Sequence, residues 1–411
     1  MKKGLLLSVV ASTMIFAGGD IAPVEPAAPA SADFWGQIGF AYQAQDENWK
    51  GPKHNLGDKE NNAFSTSVVL GVEKQIAYGF GFGAEVAGWT DFGFNIADNA
   101  RVYTGLSNMD QTDAEVSQAY LTYTFGNTAI KAGRQALPKA VSPWAWSDRT
   151  AGVLDITYDA VVIANTDIQD TTLVGAWVAN AVNGNSPTHL GSKNNGIFML
   201  AMINKSLANT TLAVSGYYFP KSQLIKGYNL GNNNPSKDIW SVWASAESNF
   251  DSVNTGLQVA YVDGDVPGFK STFGIAGKVG SSWGNFDATA IAGYINDGHY
   301  SLVTAGTGQD TSAFWTDNEE AGDVYGVSQW AILAKAGYKL PVGKIYGSLG
   351  YWDFSQSLAH PKDKAWGARL GYKFTVAGVN AKVEYRYRDE SYVGSPDQKR
   401  QRVRVEAYYK F

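Results

Sequence analysis

The chain has 411 residues, 45% hydrophobic and 13% aromatic, with 45 glycines, no cysteine and a formal charge of −5. The absent cysteines exclude a disulfide scaffold and a thiolate metal centre, and the mild acidity excludes a general nucleic-acid binder. Beyond the amino-terminal segment no apolar run approaches the ~20 residues of a spanning helix, so the chain is either a soluble exported protein or a membrane barrel.

Met1-Lys2-Lys3 is a basic start, and Gly4 to Ala17 is an apolar stretch of signal-peptide length. Residues 1–17 therefore read as a signal peptide. A second small-x-small pattern, Ala30-Ser31-Ala32, leaves cleavage open as far as residue 32. Residues 18–33 are rich in Pro and Ala and read as a tether, ahead of a barrel domain over 34–411.

Alternation of apolar and polar residues then marks strand after strand. The first six run over Phe34–Gln45, Ala63–Lys74, Gly79–Phe92, Glu115–Phe125, Thr128–Leu137 and Val153–Asp167. Six more follow at Thr171–Asn183, Asn195–Lys205, Thr210–Pro220, Asp238–Phe250, Val253–Gly264 and Lys270–Trp283. The last six are Phe286–Asp297, Val327–Leu340, Lys344–Phe354, Ala365–Thr375, Val379–Asp389 and Lys399–Phe411. The total is about 18, each close to the length that crosses a membrane at a tilt.

The connections alternate in length. Tight turns such as Gly126-Asn127, Asp251-Ser252, Gly284-Asn285 and Pro341-Val342-Gly343 separate long polar loops such as Asp46–Asn62, Gly93–Ala114, Gln223–Lys237 and Gly298–Gly326. Short periplasmic turns and long external loops are the pattern of an outer-membrane barrel; a soluble sandwich has no reason to segregate its loops. The expected fold class is all-β, a transmembrane antiparallel β-barrel of about 18 strands.

The final strand states the face rule most clearly. Val403, Val405, Ala407, Tyr409 and Phe411 fall on one face, and Arg400, Arg402, Arg404 and Glu406 on the other. Hydrocarbon outside and charge inside suit a barrel wall.

The local sequences Ala132-Gly133-Arg134-Gln135, Pro138 and Ser147-Asp148-Arg149, with the terminal Phe411, carry a family likeness. The chain resembles the OprD-like outer-membrane porins, in particular the Opr-type major porins of epsilonproteobacteria. The resemblance implies an eighteen-stranded barrel, commonly a homotrimer, that passes small hydrophilic solutes and ions by diffusion. It also implies a third external loop, here Pro138 to Gly152, folded inward to narrow the channel. Tyr409 and Phe411 then read as the assembly signal for the barrel-assembly machinery, and the surrounding partners as outer-membrane lipid and lipopolysaccharide.

Parity places Arg369, Lys373, Lys382, Arg386, Arg388, Arg400, Arg402 and Arg404 on the water side of the last three strands, interrupted by Glu384 and Glu406. Such a wall either steers anionic solutes or keeps the lumen wet. Glu85, Asp155 and Asp159 are expected to face inward, and Lys139, Asp148 and Arg149 lie in the candidate constriction loop. Asp148-Arg149 either faces charges across the gap or forms a local pair. Arg134 shares its parity with Ile130 and Ala132, which fits an irregularity or a subunit contact.

Gly280-Ser281-Ser282-Trp283-Gly284 matches a nucleophile pattern but precedes another strand instead of a helix. The histidines, His54, His189, His299 and His360, fall far apart in predicted loops. No catalytic residue, metal or cofactor is expected. The acidic run Asp317-Asn318-Glu319-Glu320 offers a divalent cation site or a solvated loop. The competing function is an adhesin or structural barrel acting through its loops.

Overall fold

Each of the long alternating segments forms a strand, because one set of its side chains faces out as a continuous apolar surface and the other faces in. In a computed structural model the described residues are 32–47, 56, 62–91, 112–150, 152–154, 156–183, 186–189, 196–222, 237–298, 300, 314–316, 329–354, 362–392 and 395–411. The signal segment, residues 18–31 of the expected tether, Asp155 and the acidic run Asp317–Asp323 lie outside them; the last tether residue, Asp33, opens the first strand.

The strands in chain order are β1 (Asp33–Glu47), β2 (Asn62–Gln75), β3 (Phe80–Thr90), β4 (Asp113–Phe125) and β5 (Thr128–Gln135). Two short pieces follow, β6 (Arg149–Thr150) and β7 (Val153–Leu154), which pair only with each other. Next come β8 (Thr157–Asn165), β9 (Thr171–Asn183), the short β10 (Ser186–His189), β11 (Ile197–Asn204), β12 (Thr210–Ser222) and β13 (Lys237–Phe250). The remainder are β14 (Val253–Gly264), β15 (Thr272–Trp283), β16 (Phe286–Ile295), β17 (Gln329–Lys339) and β18 (Lys344–Asp353). The chain finishes with β19 (Lys362–Val376), β20 (Val379–Tyr392) and β21 (Ser395–Lys410).

Without β6, β7 and β10, eighteen strands pair in chain order, each antiparallel to the next. β21 returns to β1, with Tyr409 opposite Ile38 and Arg404 opposite Gln43, and this closes the barrel. Closure removes the free edges that an open sheet would expose. The terminal residue helps to seal it: the Phe411 amide donates to Gly36 O and accepts from the Gly36 amide through its own carbonyl, both at 2.9 Å. Its ring occupies the space a Cβ on Gly36 would need.

The tight turns lie at one rim and the long loops at the other. Gly284 adopts φ +58° with nothing within 4 Å of an added Cβ, so conformation and not space selects glycine there. At this rim Asp167 accepts from Asn127 Nδ2 at 2.9 Å and Asn165 Nδ2 at 2.7 Å, stitching two neighbouring turns. Those amide donors hold its carboxyl below the ordinary aspartate range.

Leu121, Leu200, Ile332, Leu349 and Leu370 are among many large side chains exposed on the outer wall. Aromatic pairs cluster toward its two rims: Trp283–Phe286 and Tyr372–Phe374 near the turns, Trp240–Tyr261 and Trp366–Tyr387 near the loops. An apolar band between two aromatic belts is the lipid-facing surface of a membrane barrel.

The inner face is not uniform. On β20 and β21 it is charged, as alternation requires. On β8 to β14 it is largely apolar: Tyr158, Val162, Val178, Met199, Trp243 and Val262 belong to one buried cluster inside the barrel. That arc departs from the expected rule of oil outside and water inside, because chain segments inserted into the barrel cover it.

Candidate functional site

Among the described residues, the connections from β5 to β8 and from β16 to β17 send segments into the interior. The first is the connection from β5 to β8. Val141 and Trp144 join the apolar cluster, and Trp144 meets Tyr217 of β12 edge to face at 5.3 Å. Ser215 Oγ donates to Val141 O at 3.1 Å. Its base is tied off by the Ser147 amide, which donates to Leu137 O at 2.9 Å. The Trp144 side chain therefore anchors this loop to the inner wall and not to the membrane surface, while Trp146 takes Lys139 over its ring at 4.7 Å.

The tip of the same loop, with β6 and β7, reaches the other side, against β1 to β3. Val153 packs with Ala41, Ala63, Val69, Ala87 and Trp89. Gly152 sits against Gln37, with φ +92° and no room for a Cβ. Arg149 clamps Glu85 of β3: Nη2 to Oε2 is 2.6 Å and Nη1 to Oε1 is 3.2 Å. Glu85 is 1% exposed and also accepts from Ser117 Oγ at 2.7 Å and Gln118 Nε2 at 3.0 Å. Arg149 Nη1 further donates to Gly152 O at 2.6 Å, and its guanidinium lies 5.6 Å from the Trp35 ring. The loop expected to fold inward therefore does so, anchored at two places.

The charge pairing differs from both sequence expectations. Arg149 neither pairs with Asp148 nor faces Glu85 across an open gap. Asp148 Oδ1 instead accepts from the Arg149 amide at 2.8 Å, and its side chain is exposed.

The second segment, residues 314–316, belongs to the connection between β16 and β17, expected to be a purely external loop. Phe314 is buried in the apolar cluster. The Trp315 amide donates to Gln258 Oε1 at 3.0 Å, Lys278 Nζ lies 4.1 Å from its ring, and Trp352 Nε1 donates to Thr316 O at 2.9 Å. Sequence held one signal for this: the adjacent large aromatics Phe314 and Trp315 in the middle of the loop.

Between these anchorages lies the arc formed by β19, β20 and β21. All eight bases expected to line it fall on the inner face, opposite exposed Leu370, Val383 and Tyr385. They are set in a network with acids. Glu384 accepts from Arg386 Nε and from Tyr346 OH at 2.8 Å, and lies 3.7 Å from Arg369. Glu406 pairs with Arg404 and, at 3.2 Å, with Lys382. Arg388 pairs with Glu390, an inner-face acid beyond the expected end of that strand.

Asp159 faces the opposite way from expectation. It lies on the outer wall with exposed Val161 and Ile163, while its neighbours Tyr158 and Ala160 are buried inside. Arg134 Nε binds its Oδ1 at 2.9 Å and Asn180 Nδ2 its Oδ2 at 3.0 Å. This outer trio explains the parity of Arg134. Among the described residues no group of three or more His, Cys, Asp or Glu could hold a metal ion.

A closed eighteen-stranded antiparallel barrel with an apolar outer band and charged inner arc has the architecture of an outer-membrane porin. No family model and no curated protein sequence matches the chain. Among solved structures, the outer membrane protein OpdK of Pseudomonas aeruginosa aligns at TM-score 0.70 and 11% identity, covering 92% of this chain and 99% of that one. P. aeruginosa OccK8 (OprE) aligns at 0.68 and 13%, covering 92% and 98%. A BenF-like porin from Pseudomonas fluorescens Pf-5 aligns at 0.68 and 12%, covering 92% and 99%. The fold is that of the OprD-type porins.

Proposed function

We propose that this chain is a porin of a Gram-negative outer membrane, exported through a cleaved signal peptide, that lets ions and small hydrophilic solutes diffuse through its lumen. The observation that carries the reading is the inner-face arc of β19 to β21, where eight bases accompany three acids in a closed barrel. Charges so dense are costly on a lipid-facing wall and serve a water-filled passage.

Selectivity arises from that arc together with the loop held by Arg149 and Glu85. Solutes pass beside the loop, along the guanidiniums, and anions are favoured. Lipid and lipopolysaccharide surround the outer wall, and Tyr409 and Phe411 serve recognition by the barrel-assembly machinery. A homotrimer is the assembly in keeping with the resemblance. The outward Arg134–Asp159–Asn180 trio supports a protein contact on that side, since polar groups facing a barrel's surroundings call for a polar neighbour.

Reconstitution tests this directly. Liposomes carrying the barrel should swell in small sugars and amino acids, and planar bilayers in a salt gradient should give an anion-selective reversal potential. Replacing Arg386, Arg388, Arg400, Arg402 and Arg404 with glutamine should move that potential toward zero. A barrel that admits no solute would leave the adhesin alternative standing.

A further inference from the structure

The wall is irregular where the inserted loop leaves it. On β4 Gln118 pairs with Glu85 and Val116 with Val86, so Ser117 is an extra residue, a β-bulge. Toward the turns Tyr120 faces the interior and Leu121 is exposed on the outer wall. Toward the loops the phase is reversed: Glu115 is buried and Val116 is exposed. An unbroken strand would set Glu115 on the same side as Leu121, against lipid, where an acid is costly.

The bulge also turns two successive side chains inward onto one carboxylate. Ser117 Oγ donates to Glu85 Oε1 at 2.7 Å and Gln118 Nε2 donates to Oε2 at 3.0 Å. Arg149 brings one further donor to each of the same oxygens. Glu85 thus receives two donors from the wall and two from the loop tip, which satisfies a buried carboxylate. The wall donors fix the plane of the carboxyl group, and that plane decides where a bidentate guanidinium docks.

Gln118 has a second contact, at the other end of the loop. The ladder between β4 and β5 ends at the pair Ala119–Arg134. Beyond it side chains stand in for backbone pairing. The amide of Ala136, the first residue after β5, donates to Gln118 Oε1 at 3.2 Å. Arg134 Nη1 donates to Val116 O at 3.3 Å, and buried Gln135 donates through Nε2 to Ala160 O of β8 at 3.0 Å. The Gln118 side-chain amide therefore joins the departure of the loop to the acid that holds its tip. Glutamate in its place would keep the acceptor and lose the donor.

We propose that Ser117 and Gln118, the two residues of this bulge, are positioning residues of the channel: they orient Glu85 toward Arg149 and so fix how far the loop tip projects into the lumen. This rests on the pore reading and deepens it, because the opening beside the loop is then set from the wall, by side chains that need not touch a solute.

The test follows amide hydrogen exchange in the folded, detergent-solubilised barrel, with single-channel recording beside it. Gln118→Met keeps the length and removes both bonds. Exchange across Arg149 to Leu154 should speed about tenfold, the scale of one hydrogen bond to a buried charge, while β13 and β14 exchange as in wild type. Gln118→Glu should act more strongly, because it sets a second carboxylate against Glu85. Ser117→Ala should act less, since it removes one donor and leaves the link to Ala136. In an Arg149→Gln background Gln118→Met should add less than about twofold, because the clamp it serves is already gone. In bilayers Gln118→Met should raise conductance and current noise. Unchanged exchange at the tip, or an effect of Gln118→Met undiminished without Arg149, would overturn the positioning role. A wild-type barrel that passes no current would sink the pore and leave exchange to decide the clamp. A freed tip with wild-type currents would overturn its control of the opening.

Discussion

The two halves of the barrel interior obey different chemistry. From β8 to β14 the inward side chains are largely apolar, with Ser215 and Gln258 as polar tethers, and packed against Val141, Trp144 and Phe314. From β19 to β21 they are charged and held in Glu384-, Glu390- and Glu406-centred networks. The same period-two backbone serves both, so the period fixes which face a residue occupies and not what that face meets. Much of the barrel interior along β8 to β14 is a protein core.

The largest expected effect comes from placing a charge in each half. Met199→Glu sets a carboxylate into the sealed arc and should cost roughly 3 kcal/mol or more, through desolvation. Heat-modifiable migration in detergent gels should show loss of the folded band. Gln45→Glu, on the inner face beside the arginine arc, should fold normally. Equal tolerance of the two substitutions would mean that the apolar arc is wet and the halves are alike.

That contrast also explains what the sequence made legible. Most of the eighteen strands could be read because an apolar outer face alternates with residues unlike it. On β8 both faces are apolar, Tyr158, Ala160 and Val162 against Val161 and Ile163. Alternation is then ambiguous, and counting parity along it puts Asp159 inward, on the wrong face. Its partner Arg134 showed the correct parity but lacked a visible mate, since the two meet only through strand pairing. The arginine arc was legible because Val383, Tyr385, Val403 and Val405 mark its outer side. Glu390 was missed because the strand continues past Asp389 to Tyr392. The clamp between Arg149 and Glu85 joins residues 64 apart in sequence, which no local pattern records.

The next effect separates the two anchorages of the inward-folded loop. Trp144→Ala removes a buried ring from the apolar half and should cost about 3 kcal/mol, loosening the base of the loop. Glu85→Gln removes the charge partner of Arg149 in the polar half, where the arginine side chain is 32% exposed and water can rescue it. Its stability cost should be smaller, about 1–2 kcal/mol. In planar bilayers both should raise conductance and current noise, Trp144→Ala the more. Currents identical to wild type in both variants would show that the loop does not bound the passage.

A weaker effect lies on the outer wall. Arg134→Ala leaves Asp159 without its cation near the loop-side aromatic belt, where a charge costs about 1 kcal/mol or less. Arg134→Leu combined with Asp159→Leu removes both charges and should restore thermal stability. If the outer trio meets a neighbouring copy, the paired substitution should instead dissociate the oligomer in light scattering while the barrel stays folded.

The smallest expected effect is at the turn rim, where Asp167 joins two turns through Asn127 and Asn165. Its carboxyl is held below the ordinary value, so its contribution is present above the unfolded aspartate pKa and is lost as pH falls through the depressed folded value. Because the group is fully exposed, the barrel as a whole should barely respond. Carbon NMR of the side-chain carboxyl should place the wild-type midpoint below that of an unstructured aspartate. Asn127→Ala with Asn165→Ala should return it to the ordinary range, since both donors that favour the anion are gone. A midpoint unmoved by that double change would assign the depression to something other than the stitch between the turns.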